Sequence, residues 1–158
     1  MGGFHVAVHG VIEEHGRILV VRRAASERFM PLRWDLPGGA VSLGEDTTQA
    51  LEREVMEETG LRVAVGAPAL VHTNLDQLPA RQTVQILFHC RRLTGELRLD
   101  PAEHDAWRWV GSRNACEGEL MPYLAAYFDR HIAQANHWEE ARSQEPSPVS
   151  SVLAARRD

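Results

Sequence analysis

Three glutamates, Glu54, Glu57 and Glu58, stand at i, i+3 and i+4. On a helix of 3.6 residues per turn that spacing brings all three side chains to one face, where like charges repel unless a cation lies between them. Carboxylates are hard oxygen donors, and three of them converging describe a site for Mg²⁺ or Mn²⁺ rather than Zn²⁺. A solvated acidic stripe is the simpler alternative. On a helical wheel, though, Ala50, Leu51 and Val55 fall beside or among the glutamates, while Gln49, Glu52, Arg53 and Met56 occupy the opposite side. The glutamates therefore border the packing face, and a carboxylate pressed toward a core is costly unless paired, hydrogen-bonded or metal-bound.

The elements that must position them can be read from the pattern around this helix. Asp46 with Gln49 three residues on is a capping pair, and Gly60 stands where a helix stop belongs. Upstream, Phe4 to Ile12 and Arg17 to Arg23 form a hairpin across Glu13-Glu14-His15-Gly16. Residues 24 to 33 make an irregular loop, Trp34-Asp35-Leu36 a short strand, and Pro37-Gly38-Gly39 the entry to the helix. Downstream, strands are expected over Arg62 to Val65, Ala69 to Asn74, Thr83 to Leu93, Glu96 to Leu99 and Ala106 to Val110. A second helix follows over Met121 to Ala135, with Pro122 near its start, where a missing N–H does least harm. Strands around one helix, then strands closed by another, give an α/β sandwich with a mixed sheet.

Residues 39 to 61 carry Gly39, five residues, Glu45, seven residues, Arg53-Glu54, Val55, one residue, Glu57-Glu58, one residue, Gly60 and Leu61. At every specified position this resembles the signature box of the Nudix hydrolases, and the chain is similar to their mutator-type branch of small nucleotide pyrophosphohydrolases. The resemblance implies an α/β/α sandwich with a mixed central sheet, a loop–helix–loop that holds Mg²⁺ or Mn²⁺ against a pyrophosphate, and cleavage of a nucleoside diphosphate linked to another moiety. A (d)NTP cut to the monophosphate and pyrophosphate is the leading expectation. An ADP-ribose or nucleotide-sugar pyrophosphatase, or a non-catalytic nucleotide sensor of the same fold, is the alternative, and the three intact glutamates favour an enzyme over a sensor.

By the same resemblance, Glu54, Glu57 and Glu58 ligate the metal together with the Gly39 carbonyl, and Glu54 corresponds to a general base used by some relatives. Arg53 is expected either to pair with an acid such as Glu45 or Glu52 and so orient the cluster, or to contact phosphate directly. Glu45 is expected to orient or to act from the outer sphere. Glu103, in the loop after Asp100-Pro101, is a further metal ligand or base, with His104 and Asp105 as adjacent competitors. For substrate binding, Arg23 at a strand end suits phosphate or a base edge, and Arg28, Phe29 and Trp34 lie between that strand and the box. One aromatic ring could stack on a base, although Trp34 could equally plug the core. His72 and Asn74 are pocket candidates. Oxidised-guanine sanitation enzymes of this kind use an Asn shortly before the last helix, where this chain has Leu120-Met121, so sharp selection of oxidised guanine is not expected. Pro79 is only a near miss to the spacing of the ADP-ribose subgroup.

The remaining features set bounds. The chain has 158 residues and a net charge of -5. That length suits one catalytic domain, expected over 1–136, with a Ser-, Pro- and Glu-rich tail over 137–158 that is weakly structured or docked on the surface. The acidic balance argues against a general nucleic-acid surface. Cys90 and Cys116 lack CxxC spacing and are expected to be reduced packing residues in a cytoplasmic protein. Neither a secretory leader nor a membrane span is expected. A small nucleotide is the expected partner, and a homodimer is left open.

Overall fold

The computed structural model describes residues 3–74 and 81–131. The expected tail 137–158, its boundary at 136 and the position of Pro79 lie outside the described residues. The sheet, the helix over its glutamate side and the second helix as far as Phe128 belong to the unit Met1–Phe128.

Seven strands form one mixed sheet: β1 Gly3–Glu14, β2 Arg17–Arg23, β3 Trp34–Asp35, β4 Gly38–Ala40, β5 Arg62–Asn74, β6 Arg81–Thr94 and β7 His104–Val110. Their order is β3-β2-β1-β6-β5, with β4 also pairing β1 and β7 also pairing β2. The central β1–β6 pair is parallel and the other pairs are antiparallel. The β1–β2 hairpin closes on His15-Gly16 with φ of 51° and 71°, the two positive values that a tight hairpin connection requires.

Period-two alternation sends neighbouring side chains to opposite faces. Val11, Ile18, Val20 and Leu87 join one core with Trp34, Leu36, Tyr123, Leu124 and Phe128. Val8, Ile12, Leu19, Phe88 and Cys90 join the other with Ala50, Leu51 and Val55. The first core is covered by residues 122–128 of helix α2, which is described over 122–131 of the expected 121–135, and the second by α1, Thr47–Thr59. That is the expected α/β/α sandwich.

Three expectations need correction. The two strands read over 62–65 and 69–74 are one strand, β5, whose register slips on either side of Pro68. A proline cannot donate to the ladder, yet on this edge strand the slips absorb it without a break. Residues 96–99 form no strand, because Arg98 N–H is donated instead to the Thr59 carbonyl at 2.8 Å, at the end of α1. Pro37-Gly38-Gly39 is more than an entry loop, since Gly38–Ala40 pairs with Ala7–His9.

Both cysteines are free and buried, and burial pushes the Cys90 thiol up to about 12. Among the described residues no helix is long and apolar enough to cross a membrane.

Candidate active site

Helix α1 is fixed at both ends by its own sequence. Asp46 accepts a hydrogen bond from Thr48 N–H at 2.8 Å, which satisfies a donor that a helix start leaves without an intrahelical partner. Gly60 ends the helix at φ 70° with its N–H on the Met56 carbonyl. Between these ends the three glutamates have different surroundings. Glu58 is buried, Glu54 half-buried and Glu57 exposed, so the acidic face straddles the rim of the core instead of bordering it uniformly.

Strand β4 brings the backbone against that face. Gly38 N–H donates to Glu58 Oε2 at 2.9 Å. A Cβ on Gly38 would stand 2.0 Å from the Val8 carbonyl oxygen, and φ there is +152°, so only glycine fits. A Cβ on Gly39 would stand 2.6 Å from the Glu54 carboxyl carbon, so that carboxylate lies directly on the Gly39 backbone.

Arg53 ties the loop to the helix. Its Nε and Nη2 grip both oxygens of Glu45 at 2.8 and 3.0 Å, and Nη2 also reaches the Ala40 carbonyl at 3.3 Å. Its Nη1 donates to Glu54 at 2.7 Å and to Glu57 at 3.3 Å. Of the acids considered as partners, Glu45 is held and Glu52 is not among those bonds. The Arg53 guanidinium, helped by Ser42 N–H, lowers the Glu45 carboxyl to about 2. Those carboxylates in return raise the pKa of Arg53 further above its ordinary value.

Glu58 faces a different set of neighbours. Asp100 N–H donates to the Glu58 carbonyl at 3.0 Å, and the N–H groups of Glu103 and His104 both donate to the Asp100 carbonyl, which folds the 100–104 turn onto the end of α1. Glu58, Glu103 and His104 thereby offer ligand atoms that all lie within 4.8 Å of one another. Burial pushes the Glu58 carboxyl well up, Gly38 N–H opposes this, and nearby Asp35 and Glu103 add to the rise. Burial likewise lowers His104, partly offset by Asp35 and Glu103. Its Nδ1 is buried without a hydrogen-bond partner. A buried carboxylate beside a second carboxylate and an unpaired imidazole nitrogen is a donor set that fits a divalent cation. Glu54 and Glu57 are not within this group and turn to Arg53 instead.

A cavity of about 360 Å³ adjoins the glutamate face, lined by Gly38, Gly39 and Ala40 on one side and by Ala7, His9, Arg23, Phe29, Asp35, Asn74, Thr83, Gln85, Met121 and Tyr123. Its polar groups form a network. Tyr123 O–H donates to Asp35 Oδ1 at 2.5 Å, Leu36 N–H donates to the same oxygen, and His9 stacks on the Tyr123 ring at 4.3 Å. His9 Nε2 lies 2.7 Å from Gln85 Oε1.

The residues expected to bind substrate separate here. Phe29 and Arg23 line the cavity, but the Arg23 guanidinium is held by Glu27, Asp35 and the Phe29 carbonyl, so it shapes the wall more than it offers a free fork. Arg28 is exposed and Trp34 lies outside the lining. Trp34 is 1% exposed, donates its indole N–H to the Glu117 carbonyl and packs in the core, which removes its ring from stacking on a base. Asn74 lines the cavity and His72 does not. Sequence reasoning missed His9, Asp35, Gln85 and Tyr123. The signal for His9, Asp35 and Gln85 was a polar residue placed inside an otherwise apolar strand pattern, whereas Tyr123 gave none.

A family model described as the NUDIX domain matches residues 3–135. The chain is 36% identical over 125 residues to a MutT-like protein of Streptomyces ambofaciens, covering 78% of this chain and 75% of that one. It is 36% identical over 95 residues to the ADP-ribose pyrophosphatase of Methanocaldococcus jannaschii, covering 59% of this chain and 54% of that protein. Among solved structures, the MutT protein of Methanosarcina mazei superimposes with a TM-score of 0.73 at 28% identity, over 85% of this chain and 96% of that one.

Proposed function

This chain belongs to the Nudix family, in its MutT-like branch, as a pyrophosphohydrolase of nucleotide phosphoanhydride bonds, and on that premise we propose that its substrate is a (d)NTP, cut to the monophosphate and pyrophosphate. The observation that carries this reading is the cavity of about 360 Å³ opening beside the glutamate face. That volume is at the small end of ligand sites and suits one nucleoside, with the phosphates extending over Gly38-Gly39 toward α1.

Glu58 and Glu103, with Glu54, Glu57 and the Gly39 carbonyl beside them, would hold Mg²⁺ or Mn²⁺. When bound, that ion supplies neutralisation of phosphate charge and eases deprotonation of the attacking water. The chain's own residues do the rest. Glu54 accepts the proton of the attacking water, held for that purpose between Arg53 and the Gly39 backbone. Arg53 acts through the carboxylates it orients, not on the substrate, because its donors are engaged by Glu45, Glu54, Glu57 and Ala40. Phe29 gives the base an aromatic face, and the Gln85 amide, its oxygen facing His9, turns its NH₂ toward the base edge. Residues 1–136 form the catalytic domain.

An ADP-ribose pyrophosphatase is the second reading, favoured by the name of the Methanocaldococcus relative. Steady-state kcat/KM with Mg²⁺ for dNTPs, NTPs, ADP-ribose and sugar nucleotides separates the two. Higher values for triphosphates support the proposal, and a clear preference for ADP-ribose overturns it.

A further inference from the structure

Two independent observations meet at His104. A ring nitrogen of this residue, a carboxylate oxygen of Glu58 and a carboxylate oxygen of Glu103 lie within 4.8 Å of one another. His104 is also only 4% exposed, and its Nδ1 is buried with no hydrogen-bond partner. Burying a polar nitrogen without a hydrogen-bond partner is costly, so such an atom calls for an occupant. Its backbone gives no relief, because the His104 N–H is already donated to the Asp100 carbonyl at 2.9 Å.

We propose that Glu58, Glu103 and His104 form a mixed carboxylate–imidazole cation site, in which the imidazole is a direct ligand. The proposal rests on reading the box as a divalent-metal centre and adds a nitrogen donor from outside the box, contributed by the first residue of β7. Glu58 accepts Gly38 N–H on one oxygen, and its carboxylate lies beside that of Glu103, where an ion would join the two. Glu103 is exposed, so it is the mobile ligand through which the ion enters. The nitrogen changes the selectivity of the site. Oxygen-only shells suit Mg²⁺, whereas an imidazole favours first-row transition ions, which bind N/O sites more strongly. The site therefore takes Mn²⁺ or Co²⁺ ahead of Mg²⁺.

The test uses Mn²⁺ alone, without nucleotide, on the full chain. Binding is followed by loss of the free-ion electron paramagnetic resonance signal, and electron spin-echo modulation of the bound ion reads nitrogen coupling. The expected result is modulation from a directly bound ¹⁴N that changes to the ¹⁵N pattern when the unaltered chain is labelled with ¹⁵N-histidine. His104→Gln is expected to lose that modulation and to weaken Mn²⁺ binding by roughly 10- to 100-fold, while Mg²⁺ binding changes far less. Mn²⁺ bound with no nitrogen coupling overturns the role of His104 and leaves the metal reading of the glutamates intact. No Mn²⁺ bound overturns both. Nitrogen coupling that persists in folded His104→Gln assigns the ligand to another histidine and overturns the proposal. If that variant fails to fold, the labelled unaltered chain together with Glu103→Gln decides, since coupling retained at unchanged affinity without the Glu103 carboxylate also overturns it. Hydrolysis is not read, so failure of the (d)NTP assignment is a separate outcome.

Discussion

Replacing Gly39 with alanine puts a methyl carbon 2.6 Å from the carboxyl carbon of Glu54. Ordinary contact between carbon atoms needs about 3.5 Å, so the Glu54 carboxylate must withdraw by roughly 1 Å. The obstacle is the end of a flexible side chain, and the change can be absorbed there. Moving Glu54 off its rotamer costs about 0.5–1.5 kcal/mol. Weakening its partly exposed pair with Arg53 adds at most about 1 kcal/mol, since Arg53 keeps Glu45. A loss of about 1–2 kcal/mol lowers Tm by roughly 2–8 °C in a chain of this size. Activity is expected to suffer far more, because a displacement of about 1 Å in a group that must face the reacting atoms costs on the order of a hundredfold. Gly38→Ala is the contrast. There the added carbon meets the Val8 carbonyl oxygen at 2.0 Å and the His9 Cα at 2.7 Å, both backbone atoms of the central strand, at φ +152°. No side chain can yield, and the loss is expected to exceed about 4 kcal/mol, leaving little soluble protein. Circular dichroism melts and kcat/KM of the purified variants give both quantities. Folded Gly39→Ala with unaltered kcat/KM would refute the placement of Glu54 as a functional requirement.

Other outcomes follow from the same geometry. Glu58→Gln is expected to lower turnover by at least about a thousandfold, and Glu57→Gln by less, because Glu58 is buried beside Glu103 and His104 and Glu57 is an exposed partner of Arg53; equal rates in the two variants would contradict this order. Glu45 has a folded pKa lowered to about 2, against about 4.3 unfolded. Its contribution is therefore complete above about pH 4.3 and lost as pH falls through about 2, so the stability gap between the unaltered chain and Glu45→Gln should close over that window in acid denaturation; a gap that widens on acidification has the wrong sign. Oxidised over ordinary guanine nucleotide is expected to show less than about a hundredfold preference in kcat/KM. Met121 lines the cavity where an Asn that reads the purine would stand, and its thioether gives no such donor–acceptor contrast. A preference of several thousandfold would transfer the readout to Asn74.

The box helix was legible because its signals are local. Capping residues, the apolar positions and the spacing of the glutamates all lie within one continuous segment, and the structure returns Asp46 and Gly60 as its caps. The pairing of Arg53 with Glu45 was equally within reach, since eight residues of loop and helix separate them. The partner of Glu58 was not. It depends on the 100–104 turn hydrogen-bonding to the end of α1, a contact across more than forty residues that leaves no periodic trace. The same cause hid the cavity, whose wall comes from β1, β5, β6 and α2 and is assembled by the parallel β1–β6 pairing. Trp34 shows the opposite case, in which residue type pointed to stacking and burial decided for the core. Residues 96–99 looked like a strand because alternation is also what a segment pinned along a helix end displays when one side faces the core.

The most direct measurement is the identity of the products. The chain is incubated with dGTP and Mg²⁺ and the reaction is resolved by anion-exchange chromatography and ³¹P NMR. The (d)NTP assignment requires dGMP and pyrophosphate in equal amounts, none in chelator, and almost none from Glu58→Gln. Release of dGDP and orthophosphate, or dGTP returned intact by folded protein that hydrolyses ADP-ribose under the same conditions, would contradict it.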